Sequence, residues 1–77
     1  MTSDDRERAA IAREVRAELA RRRMTQHQVG ELLGLSQQSV SRRLSGEVPW
    51  RADELLYLAE ALDVPVTCFY PEKVMTK

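Results

Sequence analysis

Thr25-Gln26-His27-Gln28-Val29-Gly30-Glu31-Leu32-Leu33-Gly34-Leu35-Ser36-Gln37-Gln38-Ser39-Val40-Ser41-Arg42-Arg43-Leu44-Ser45-Gly46 decides the fold of this 77-residue chain. The stretch reads as two short helices joined by a tight turn. Thr25 with Gln28 three residues later is a capping box, so a helix starts at about residue 25. Val29, Leu32 and Leu33 repeat at helical spacing and face inward. Gly34 ends this helix, because a residue without Cβ enters the left-handed region at little cost. Leu35 returns to the core and Ser36 caps the next helix, which buries Val40 and Leu44 and stops at Gly46.

Working outward, the flanks also read as helix. Ser3 is a candidate cap for a first helix over residues 3–23, with Asp4, Asp5 and Glu7 against the positive end of its dipole. Ile11, Val15 and Leu19 form its apolar stripe, and Arg21, Arg22 and Arg23 fall in its last turn. Beyond Gly46, Trp50 is expected to plug the loop against the helices. A fourth helix over 51–62 turns Leu55, Leu58, Ala59 and Leu62 inward, with Leu56 and Tyr57 nearer its flank. Pro65 opens a fifth helix over 65–70 that packs Val66 and Phe69, and Pro71 ends it. Residues 72–77 read as a frayed tail. There is no strand signal and no internal repeat. The fold class is therefore all-α, with five helices in one domain over 1–77: helices at 3–23, 25–33, 36–45, 51–62 and 65–70.

Composition narrows the function. Cys68 is the only cysteine, so no internal disulfide is available, which fits a reducing cytoplasm. No signal peptide or long apolar run is present, and no membrane association is expected. His27 and Cys68 have no companions in metal-ligand or nucleophile–base spacing, and no glycine-rich phosphate loop occurs. An enzyme is rejected on that ground, and no cofactor or metal is expected. The net charge is zero, but unevenly spread. Residues 21–51 hold six arginines against Glu31 and Glu47, a local +4, while residues 1–20 carry −1 and residues 52–77 carry −3. Phosphate binding needs a local basic face rather than a basic protein.

The two-helix unit has the layout of a helix-turn-helix, with Gly30 at the close approach and Gly34 in the turn. Opposite Val40 and Leu44, its second helix carries Gln37, Gln38, Ser41 and Arg42, the candidate base contacts in a major groove. Glutamine pairs with adenine N6 and N7 and arginine with guanine O6 and N7. At least one adenine and one guanine are therefore expected in each half-site. Candidate phosphate contacts are Thr25, Gln26, Ser39, Arg43, Ser45, the N–H of Gly46, and Arg51. Gln26 is also placed to bridge a phosphate to Gln37. The bland alternative for each is a solvated polar helix face.

From about Ile11 to Tyr70 the chain resembles the lambda-repressor-like (Xre) helix-turn-helix family of phage and bacterial regulators. The best match runs from Thr25-Gln26 through Gly34-Leu35-Ser36-Gln37-Gln38-Ser39-Val40-Ser41-Arg42 to Gly46, with Ala61-Leu62-Asp63-Val64-Pro65-Val66 similar to the family's helix-four end. Gly30 departs from the more usual alanine. Arg43 stands where Trp or Leu is common, so its stem is expected to cover the core. The resemblance implies that Gln26, Gln37, Gln38 and Arg42 face DNA. It also implies a homodimer on a two-fold-symmetric double-stranded operator, with half-sites roughly 34 Å apart. Val66, Phe69 and Tyr70, with Val74 and Met75, are the candidate dimer surface; the alternative keeps Val66 and Phe69 in the monomer core and leaves only Tyr70 outside. The expected function is a cytoplasmic, nucleoid-associated transcriptional repressor that blocks polymerase. The alternative is an antitoxin or other protein-binding module that regulates its own promoter, with the acidic fourth helix and the tail facing its partner.

Overall fold

The computed structural model describes residues 3–70, whose regular elements are all helical, with no strand among them. α1 spans Ser3–Arg21, α2 Gln26–Leu33, α3 Gln37–Ser45 and α4 Ala52–Leu62, followed by a 3-10 turn at Val66–Phe69. The capping expected of the Ser3 side chain, the tail 72–77, and Val74 and Met75 lie outside the described residues.

Local chemistry sets the boundaries. Thr25 Oγ1 accepts from Gln28 N at 3.1 Å, and Gln28 Oε1 accepts from Thr25 N at 2.8 Å, which completes the capping box at the start of α2. Ser36 Oγ accepts from Ser39 N at 3.1 Å and starts α3. Gly34 (φ 71) and Gly46 (φ 87) end α2 and α3 in the left-handed region. α1 ends earlier than expected. Arg23 turns left-handed (φ 55), Arg23 N donates to the Ala20 carbonyl and Met24 N to the Leu19 carbonyl. This is a Schellman closure built on a residue other than glycine. Asp63 (φ 59) closes α4 in the same way.

The expected fifth α-helix is instead a four-residue 3-10 turn. Tyr70 is extended (φ −102, ψ 133) because the proline that follows disfavours the helical region. The segment between Pro65 and Pro71 is then too short for α-helix propagation.

One core holds these elements together. It contains Val15, Leu19, Val29, Val40, Leu44, Trp50, Leu55, Leu58, Ala59 and Phe69, with Ile11, Leu32, Leu33, Leu35, Leu62 and Val66 packed around it. α3 packs on α1 and α2, α2 also meets α4, and the 3-10 turn seats on α1 and α4. Trp50 is buried as expected, although its Nε1 has no partner among the described residues. That orphan donor offsets part of the ring's burial by roughly 1–3 kcal/mol.

Candidate nucleic-acid interface

α3 is amphipathic in the required sense. Val40 is fully buried and Leu44 is 9 % exposed, while Gln37, Gln38, Ser41 and Arg42 are all exposed. The structure therefore brings the four expected base contacts together on the outer surface of one helix. Burial of the apolar pair, at roughly 1.5–3 kcal/mol for a side chain of this size, holds that surface outward.

The expected phosphate contacts divide. Gln26 is half-buried at the first position of α2 and forms no hydrogen bond to Gln37. Thr25 engages both its N–H and its Oγ1 in the capping box, although the residue is exposed. Ser39 Oγ receives the Ser36 hydroxyl at 3.0 Å. Ser45 Oγ donates to the Arg42 carbonyl at 2.9 Å and accepts from Glu47 N. The Gly46 N–H donates to the Arg42 and Arg43 carbonyls, so it closes the helix instead of pointing at a ligand. Arg51 precedes α4 with its side chain 70 % exposed and its Nε donating to Asp53 Oδ1 at 3.1 Å. That bond raises the Arg51 pKa and lowers that of Asp53. A pair this exposed is weak, so the guanidinium can exchange it for a phosphate.

Arg43 departs most from expectation. Its Nε donates to Glu54 Oε1 at 2.9 Å, its Nη2 to Glu54 Oε2 at 3.1 Å, and its Nη1 to the Ser39 carbonyl at 3.2 Å. The stem does cover the core side, as expected, but the charge is committed to a carboxylate. Glu54 read in the sequence only as an acid in the first turn of α4. No local signal shows that it meets α3.

The basic surface also differs from the linear charge count. Arg21 and Arg22 both sit on Glu18 at 2.6 Å, and Arg22 Nη2 reaches the Leu62 carbonyl at the end of α4. Arg21 is thus held by α1 itself, and Arg22, just past α1, reaches the end of α4 rather than α3. The hydrogen bond from Arg22 holds the Glu18 carboxyl below its ordinary pKa. In their place, Arg16 Nη1 donates to the Leu44 carbonyl and Arg8 Nη1 approaches the Glu47 carbonyl at 3.5 Å. Both come from the segment that carries a net negative charge. Cations there suit the C-terminal end of the α3 dipole.

Phe69 is fully buried in the chain's own core, so it is removed from the candidate dimer surface. Val66 and Tyr70 are half-buried against the same core. Among the described residues, the large apolar side chains left exposed are Leu56 (54 %) and Tyr57 (51 %) on α4. His27 is exposed beside Glu31 at 3.3 Å.

The capped α2, the left-handed Gly34, and the exposed polar face of α3 are the parts of a helix-turn-helix, and the helix-turn-helix family model matches residues 15–67. The chain belongs to that family, in its Xre, lambda-repressor-like branch. No curated protein is similar enough to the chain to count as a match. As a member of the helix-turn-helix family, the chain is a DNA-binding regulator whose partner is double-stranded DNA. No helix among the described residues is long and apolar enough to cross a membrane.

Proposed function

We propose that this helix-turn-helix regulator is a sequence-specific repressor of phage or bacterial origin that reads a major groove with α3. The observation that carries this reading is the shared exposure of Gln37, Gln38, Ser41 and Arg42 above a buried Val40 and Leu44. Amides and a guanidinium in this register match the hydrogen-bonding edges of adenine and guanine. Thr25, Gln26, Ser39, Ser45 and Arg51 flank that surface as backbone contacts, and Arg51 is the strongest because its charge is exposed. A repressor of this kind occupies a promoter at the nucleoid, in the cytoplasm, and denies it to polymerase. It acts as a homodimer, with Val66 and Tyr70 supplemented by the exposed Leu56 and Tyr57.

Selection of bound sites from random duplex DNA tests the reading. The expected result is a two-fold-symmetric site with adenine and guanine in each half. Recovery of no preferred site overturns sequence-specific repression. The exposed Leu56 and Tyr57 also support the second reading, an autoregulatory antitoxin that covers this pair with another protein. Co-purification of a stable heteromeric complex from the native host would favour it over the first.

A further inference from the structure

The Arg43–Glu54 pair has features that a surface ion pair lacks. Both side chains are largely shielded, at 14 % and 12 % exposed. Three of the guanidinium's N–H groups are engaged, two by Glu54 and one by the Ser39 carbonyl. The carboxylate is fixed from the other side by Arg51 N, which donates to Oε1 at 3.0 Å. Each partner is thus anchored in its own element. Among the described residues α3 packs on α1 and α2 and not directly on α4, so the pair acts as a strut across that gap.

Arg43 adjoins Arg42 on the helix proposed to enter the groove. A free cation there would add a backbone contact, and backbone contacts carry no sequence information. Resting on the DNA reading above, we propose that Glu54 is a specificity-determining positioning residue: it withholds the Arg43 guanidinium from the phosphates and fixes the pitch of α3. Binding to arbitrary DNA is thereby kept weak relative to binding that uses Gln37, Gln38 and Arg42.

The test is a fluorescence-anisotropy titration of a random-sequence duplex against wild type and Glu54→Gln, which keeps the shape of the side chain and removes its charge. The freed arginine is expected to steepen the log–log salt slope by about 0.9, an extra loss of about 3.5-fold in affinity between roughly 50 and 200 mM salt. The double variant Glu54→Gln/Arg43→Met is expected to return to the wild-type slope. The preference for the best duplex recovered by selection, relative to random duplex, is expected to fall in Glu54→Gln. A role confined to folding leaves the slope unmoved, and an unmoved or shallower slope overturns the proposal. Should Glu54→Gln lose its helical circular dichroism, the wild type still decides. The Arg43 Nε–H resonance is expected to keep its shift when random duplex is added, and a large displacement overturns the proposal. Salt-independent binding by wild type would end the DNA reading itself, whereas salt-dependent wild-type binding with an unmoved variant ends only the role of Glu54.

Discussion

Glu54 accepts from Arg43 through both carboxylate oxygens, at 2.9 and 3.1 Å, and so ties α3 to the start of α4. The same carboxylate receives Arg51 N, so one side chain serves an interhelical strut and a helix start. Glu54→Ala removes both and leaves a shielded guanidinium without its counter-charge. The expected loss is about 2–3 kcal/mol, because hydrogen bonds to charged groups are worth more than neutral ones. At roughly 4–8 °C per kcal/mol for a domain of this size, thermal unfolding would show a drop of at least 8 °C. A change under about 2 °C would show that the pair contributes little.

Gly30 is required by space, and Gly34 by backbone torsion. A Cβ on Gly30 would lie 2.6 Å from the Leu35 carbonyl oxygen, a backbone atom of the turn. That turn is closed by Leu35 N donating to the Gly30 carbonyl at 2.9 Å. At Gly34 a Cβ would meet nothing within 4 Å, but φ is 71°. Gly30→Ala should therefore lower stability by about 1–2 kcal/mol net, although alanine gains about 1 kcal/mol of helix propensity. Gly34→Ala should cost about 1 kcal/mol from torsion alone. Urea unfolding of the two variants checks this, and a stabilised Gly30→Ala would show that the turn yields freely.

What was legible in the sequence was local. Thr25 with Gln28, Ser36, Gly34 and Gly46 act within a few residues of themselves, so spacing alone placed them. Val40 and Leu44 follow from helical periodicity in the same way. Arg43–Glu54 and Arg16 with the Leu44 carbonyl join residues 11 and 28 positions apart, and only the packing of whole helices brings them together. The linear charge count failed at Arg21 and Arg22 for a local reason, since it did not pair them with Glu18 one turn away, and only the reach of Arg22 to the Leu62 carbonyl is set by packing. Gly30 is the close approach that its spacing predicts: a Cβ there would meet both the turn's own backbone at the Leu35 carbonyl and, at 3.7 Å, Val40 Cγ2 of α3. Phe69 was left open between core and dimer surface, and the 3-10 turn resolves it by folding the ring inward.

Acid should weaken the C-terminal end of α1, where Glu18 holds Arg21 and Arg22. Arg22, then burial in opposition, then Arg21 set the Glu18 pKa, and the net effect is a lowered value. A carboxylate whose folded pKa lies below its unfolded value contributes stability above the unfolded value, roughly pH 4.3, and loses it as pH falls through the folded value. Thermal scans from neutral pH downward should show a decline that begins near that point. Glu18→Gln should melt lower at neutral pH and decline less steeply in acid. An identical acid limb in the variant would remove Glu18 from the explanation.

Among the described residues, Arg23 and Asp63 are the two other than glycine with positive φ, at 55° and 59°. Both are exposed, so glycine at either site sacrifices no packing. Asp tolerates the left-handed region better than Arg, whose side chain offers no local hydrogen bond there. Arg23→Gly is therefore expected to stabilise by about 0.5–1 kcal/mol, and Asp63→Gly by less, after the extra chain entropy of glycine is counted. Denaturant midpoints at constant m-value would read this order directly. The reverse order would mean that the Asp63 closure is the more strained.

Base readout and backbone attraction should separate by residue. Gln37 and Gln38 present amides at the start of α3, while Arg51 stands outside it, before α4. Gln37→Ala or Gln38→Ala should reduce discrimination at an adenine by about 1–3 kcal/mol while leaving the salt slope in place. Arg42→Ala should do the same at a guanine. Arg51→Ala should weaken every duplex by a similar factor and make the log–log salt slope shallower by about 0.9. Titrations of a selected site, its single-base variants and a random duplex would distinguish these patterns. If Arg51→Ala changed base preference and Gln37→Ala and Gln38→Ala changed only the salt slope, the assignment of α3 as the reading element would be inverted.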